Sequence, residues 1–126
     1  MPRDISNRRN VNRQKIPAML SASLQARTPD GVSRKLPIVD VSPTDVCFAS
    51  PSSAPLIEIG CVLTDVWVQV ADFGIECNLT VQRTWRQFDG SYHCGARLYP
   101  KTEDDQNELV SLVAALQAAN LKRQSV

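Results

Sequence analysis

Six polar residues carry side chains suited to gripping an anion or a nucleobase: Arg8, Arg9 and Arg13 near the N-terminus, Asp40 and Ser42 after an apolar run, and Arg83 further on. Arginine keeps its charge at any working pH and presents a planar fork of donors. That fork fits phosphate, or the O6/N7 edge of guanine, two bonds at a time. Arg9 and Arg13 stand four apart, so both side chains reach one ligand if the chain there curls into a turn. Residues 36–41 read as a strand, and along a strand Asp40 and Ser42 project to one face. Such a face offers a carboxylate that accepts from a guanine amide edge and a hydroxyl that bonds phosphate. Each group also has a purely structural use: basic termini are often just solvated, and Asp and Ser close strands by bonding nearby backbone.

The elements that must position these groups follow from hydrophobic periodicity. Residues 1–15 show no apolar pattern and read as a flexible basic arm. From 16 to 27 the chain alternates, with Ile16, Ala18, Leu20, Ala22, Leu24 and Ala26 on one parity, which predicts a strand with one wet face. Thr28-Pro29-Asp30-Gly31 turns it back into 36–41; Pro43-Thr44-Asp45 breaks that strand, and 46–49 resumes. Segments 61–70 and 75–85 are the next pair. In the second, Ile75, Cys77, Leu79, Val81 and Trp85 take the inward parity, and so does Arg83, against the rule. A charge buried there is costly without a partner, so Arg83 must reach the rim or a carboxylate such as Asp40. Asp89-Gly90 marks a hairpin, and Tyr92, Cys94, Ala96 and Leu98 return. Trp67 and Trp85 read as core aromatics and His93 as structural.

Six strands with short turns and no crossover helix predict an all-β fold, an antiparallel sheet that closes or is capped. The cap is a C-terminal helix over 102–121. Thr102 with Glu103, Asp104 and Asp105 is an N-terminal capping signature, and Leu109, Leu112, Val113 and Leu116 form its apolar stripe.

With 126 residues, 43% of them hydrophobic, the chain is sized for one domain (1–126) with the barrel over 16–100. The net charge of +1 supplies no global field toward nucleic acid or membrane, but it is unevenly spread. Residues 1–15 hold five bases against Asp4, and 102–110 hold four acids and no base. Four cysteines at least fourteen apart, with a single histidine, speak against a zinc site and fit buried thiols in a reducing compartment. No apolar stretch spans a bilayer and the N-terminus is too polar for a signal peptide, so the expected location is cytoplasmic, without membrane insertion. No nucleophile-base pair, metal cluster or phosphate-cradling glycine loop is found, which predicts a non-enzyme with no cofactor.

Arg9 to Arg13 and Asp40-Val41-Ser42-Pro43-Thr44-Asp45, in that order, resemble the two signatures of PilZ domains, bacterial receptors for cyclic di-GMP (c-di-GMP). Those signatures are Arg-x-x-x-Arg on an N-terminal arm, and Asp or Asn, x, Ser, x, x, Gly. Arg8 matches the extra arginine often found beside the first, and Asp45 stands in place of the glycine of the second. Gly95-Ala96-Arg97-Leu98 lies where the family has Gly-x-Arg-Phe before its helix. The resemblance implies a six-stranded antiparallel β-barrel of the split PilZ type, capped by a C-terminal helix. It also implies c-di-GMP as ligand, gripped by Arg8, Arg9, Arg13, Asp40, Ser42 and Arg83, and a downstream protein partner recruited or released when the arm orders. Two alternatives stand beside this. One is a divergent PilZ adaptor that works through protein contacts without the nucleotide. The other is a small barrel that binds single-stranded nucleic acid, against which the lack of aromatics in the arm argues.

Overall fold

The structure, a computed structural model, describes residues 13–124. Alternating apolar and polar residues form seven strands: β1 (Gln14–Lys15), β2 (Ala22–Arg27), β3 (Ser33–Val41), β4 (Asp45–Ser50), β5 (Val62–Val70), β6 (Phe73–Arg86) and β7 (Tyr92–Pro100). One helix, α1 (Glu103–Gln124), follows. All pairings are antiparallel, and six strands close on themselves in the order β3-β2-β5-β6-β7-β4, with β4 returning to β3. This is the closed barrel with a C-terminal helix that the sequence implies.

β3 makes the closure possible because its two halves have different partners. Ser33 to Pro37 pair with β2, while Ile38, Asp40 and Val41 pair with β4. Where β2 leaves off, β1 takes over, with Gln14 opposite Val41 and Lys15 opposite Asp40. Residues 14 and 15, which the sequence assigns to the arm, are thus part of the sheet.

The predicted strand over 16–27 is shorter than expected. Only Ala22–Arg27 is strand, because Pro17 has no N–H for a ladder and starts a turn in which Leu20 N–H donates to the Pro17 carbonyl at 2.9 Å. Ile16 and Leu20, the source of the apparent alternation, pack partly buried against the core from that turn.

Inside the barrel, Leu24, Leu36, Val41, Phe48, Val66, Val68, Ile75 and Leu79 are fully buried. Each removes apolar surface from water for roughly 1.5–3 kcal/mol. Helix α1 seals one end through Leu109, Leu112, Val113 and Leu116, the predicted stripe, and runs three residues past the expected end, through Lys122, Arg123 and Gln124, all good helix formers.

Its first two turns also repair the sheet. β6 extends beyond the end of β7, and two N–H groups on that overhang meet helix carboxylates: Glu76 N–H donates to Asp105 Oδ1 at 2.9 Å and Gly74 N–H to Glu108 Oε2 at 3.3 Å. Thr102 caps the helix, its hydroxyl oxygen accepting from Asp105 N–H at 3.1 Å. Thr102→Ala is expected to cost about 1 kcal/mol, read as a lower urea midpoint with unchanged slope. Among the described residues, no helix is long and apolar enough to cross a membrane.

Candidate ligand site

Strand register sets five residues in one line across the outer wall. Lys15 of β1 lies opposite Asp40 of β3, Asp40 opposite Cys47 of β4, Cys47 opposite Gly95 of β7, and Gly95 opposite Arg83 of β6. Arg13, just ahead of β1, brings its Nε to 3.6 Å from Asp40 Oδ1. The result is a shallow cleft with cations at both ends, Asp40 beside one of them, and a floor of two small residues, Cys47 and Gly95. Asp45 and Gln82 complete its rim. Its cavity is about 20 Å³, about what a single water needs, because the Arg13 and Asp40 side chains occupy the space between the walls.

Arg83 reaches this face through a β-bulge. The β6–β7 register shifts between Val81 and Arg83, leaving Gln82 as the extra residue, so Arg83 turns outward against its predicted inward parity. Gln82 and Arg83 therefore line the cleft as consecutive residues, which a regular strand forbids. The Arg83 guanidinium lies over Gly95, where a Cβ would meet Nε and Nη2 at 3.5 Å, and its Cζ sits 5.4 Å from the Trp85 ring centroid. Trp85 in turn meets His93 edge-on at 5.8 Å. The same bulge carries Trp85 out of the core: it is 38% exposed, and Trp67 is 44% exposed, so neither is the buried aromatic the sequence predicts.

Asp40 is only 9% exposed. Burial pushes its carboxyl above the ordinary value of 3.8, against the opposing pull of the Arg13, Arg83, Lys15 and His93 charges. By linkage, a raised carboxyl favours the folded state fully below pH 3.8, and this contribution is lost as pH rises through the shifted value. In its ionised form the carboxylate is a desolvated acceptor held by its cations. A side-chain carboxyl NMR titration should find Asp40 above 3.8 and higher still in Arg13→Ala, which loses the strongest opposing charge. An Asp40 at or below 3.8, or one unmoved by the substitution, contradicts this electrostatic arrangement.

Burial, and secondarily the Asp40 charge, push the Cys47 thiol up to about 12, so the floor is a neutral thiol rather than a nucleophile.

Ser42 lies one residue past β3, buried, and does not line the cleft. Its hydroxyl oxygen accepts from Thr44 N–H at 3.2 Å and Asp45 N–H at 3.0 Å, closing the β3–β4 turn. Asp45, in the place of the family's glycine, does not require a left-handed backbone; the described non-glycine residues with positive φ are Asp65 and Ala71. It begins β4 opposite Arg97 and accepts from the Thr44 hydroxyl at 3.1 Å. Of the six residues singled out from sequence, the fold brings Arg13, Asp40 and Arg83 together, uses Ser42 in the adjoining turn, and leaves Arg8 and Arg9 outside the described residues. Lys15, Cys47, Gln82 and Gly95 join the site through register and a bulge, neither of which a strand pattern reveals.

No protein-family model and no curated protein sequence matches the chain. Solved structures do. MrkH of K. pneumonia in complex with c-di-GMP superposes with a TM-score of 0.79 at 16% identity, over 88% of this chain and 53% of MrkH. The PilZ domain of YcgR from Escherichia coli with c-di-GMP gives 0.61 at 12%, over 90% of this chain and 94% of that domain. The Bacillus subtilis inhibitor of motility, MotI/DgrA, gives 0.64 at 12%, over 94% and 53%. The fold is that of a PilZ domain. This chain spans about half the length of MrkH and of MotI.

Proposed function

We propose that the chain is a c-di-GMP receptor whose ligand docks on the outer wall over Asp40, Cys47, Gly95 and Arg83, with the N-terminal arm closing over it. The observation that carries this reading is the register line with its carboxylate between two cations, on a fold shared with proteins solved with c-di-GMP. Guanine offers N1–H and N2–H donors to Asp40 and an O6/N7 edge to an arginine fork; the ring phosphates take the remaining guanidinium. Arg13 and Asp40 engage each other in the cleft, so the ligand replaces one charge-assisted contact with several. Arg9 and Arg8 approach with the arm, and ordering it costs roughly 1–2 kcal/mol per residue. No covalent bond changes: the output is an ordered arm and an altered barrel face that a downstream protein reads. Ser42 contributes by fixing the turn beneath Asp45.

Asp45 favours a second reading, a PilZ adaptor that acts through protein contacts alone, since its carboxylate lines the cleft where phosphate would approach. Calorimetry separates the two. A receptor gives saturable heat with c-di-GMP, little with c-di-AMP, and a modest salt dependence; an adaptor gives no heat with either. Binding of any oligonucleotide with a steep salt dependence would instead mark a single-strand binder.

A further inference from the structure

On the other flank of the barrel, sharing no residue with the site above, lies a cleft of about 600 Å³ between the β2–β3 hairpin and β5. That is the size range of small-molecule sites. One wall is Trp67, whose indole is locked in place. Its N–H donates to Gln69 Oε1 at 2.9 Å, and Gln69 Nε2 donates to the Ala71 carbonyl at 2.9 Å. The ring lies against the Cα of Gly74, where a Cβ would fall 2.3 Å from Cζ2, so only glycine lets the indole lie flat. A rigid aromatic plate, almost half exposed, therefore contributes to the lining of the cleft.

The rest of the lining mixes apolar residues, Ala26, Pro29 and Val62 among them, with polar ones whose charges, Arg27 and Asp65, balance. Arg27 is steadied by its Nη1 donating to the Gly31 carbonyl at 2.7 Å, and Gln25 bridges to Ser33. Asp65, opposite, is paired with Lys101 and held in a left-handed conformation (φ 55°), with its N–H donating to Asn78 Oδ1 at 3.0 Å. A non-glycine residue in that region costs energy and persists only when its surroundings enforce it, a pattern that gathers at ligand sites. A phosphate would meet a single unshared cation here. A neutral molecule with C–H faces for the indole and the apolar residues, and a rim of hydroxyls for guanidinium, amide and carboxylate, matches this mixed lining.

We infer that this cleft is a saccharide site, taking a neutral pyranose with its apolar face on Trp67 and its hydroxyls on Gln25, Arg27 and Asp65. The test is a ¹H–¹⁵N titration of the full chain with cellobiose, maltose and N,N′-diacetylchitobiose, reading the Trp67 indole N–H, with that of Trp85 as internal control. One sugar should shift Trp67 saturably and leave Trp85 still. Gly74→Ala, which pushes the ring out of place, should weaken that response at least about tenfold. If Gly74→Ala fails to fold, Gln25→Ala and Arg27→Ala should show the same loss. The inference is overturned if none of the sugars moves Trp67 up to about 50 mM, if the response survives these substitutions, or if guanosine monophosphate moves it and the sugars do not.

Discussion

Arg13→Ala should weaken c-di-GMP binding by about a hundredfold, and Arg13→Lys by nearly as much. A hydrogen bond to a charged group contributes about 1.5–3 kcal/mol, and a guanidinium makes two at once to phosphate or guanine, so about 3 kcal/mol, or a factor of a hundred, is the expected loss. Lysine keeps the charge but not the fork. The substitution also acts through Asp40: with its nearest cation gone, the buried carboxylate is pushed further toward its protonated form and accepts less well from guanine. The loss should therefore deepen as pH falls toward the raised Asp40 value, a dependence that a simple missing contact does not produce. Calorimetry on wild type and both variants at two pH values reads this directly. Equal affinities would discard the grip.

Phe48→Ala should be the most damaging single change to the fold, lowering stability by about 3–5 kcal/mol. That is a large share of the roughly 5–15 kcal/mol a small domain possesses. Phe48 is fully buried on β4, opposite Ile38 and Cys94, immediately behind the cleft floor that Cys47 forms on the outer face. Its loss leaves a cavity where β3, β4 and β7 join, the seam that closes the barrel and aligns Asp40 with Gly95. Urea unfolding should show the drop in midpoint, and ligand binding should fall with the folded fraction. Cys47→Ala, one residue away on the other face, removes a single buried atom and should cost only about 1 kcal/mol. Similar losses from both would mean that the inward and outward faces of β4 are misassigned.

The barrel was legible because Leu24, Ala26, Ile75, Cys77, Leu79, Cys94 and Leu98 sit on the parity that the alternating pattern picks out, and all are buried. Helix α1 was equally plain, since capping and the Leu109–Leu116 stripe are local signals. The site was half legible. Asp40 and Arg13 stand out as charges at a strand end and beside an arm, but nothing local says that Lys15 pairs with Asp40 or that Cys47 and Gly95 lie between the cations. Those neighbours come from register, a long-range property. Trp85 was misplaced because an extra residue at Gln82 inverts every later side chain on β6, and the one mark of it in the sequence is the charge of Arg83 on the inward parity. Ser42 shows the opposite error, in which a strand's alternation was carried one residue too far, into a turn.

The most direct measurement follows the arginine Nε–H groups and the Gly95 amide by NMR while c-di-GMP is added to the full chain. If the outer wall is the ligand's seat, Arg13, Arg83 and Gly95 move together and saturate at one ligand concentration, and Asp40→Asn shifts all three curves to weaker binding. If the ligand binds while these three stay still, or if nothing in the spectrum moves at near-millimolar c-di-GMP, the cleft is not a receptor site.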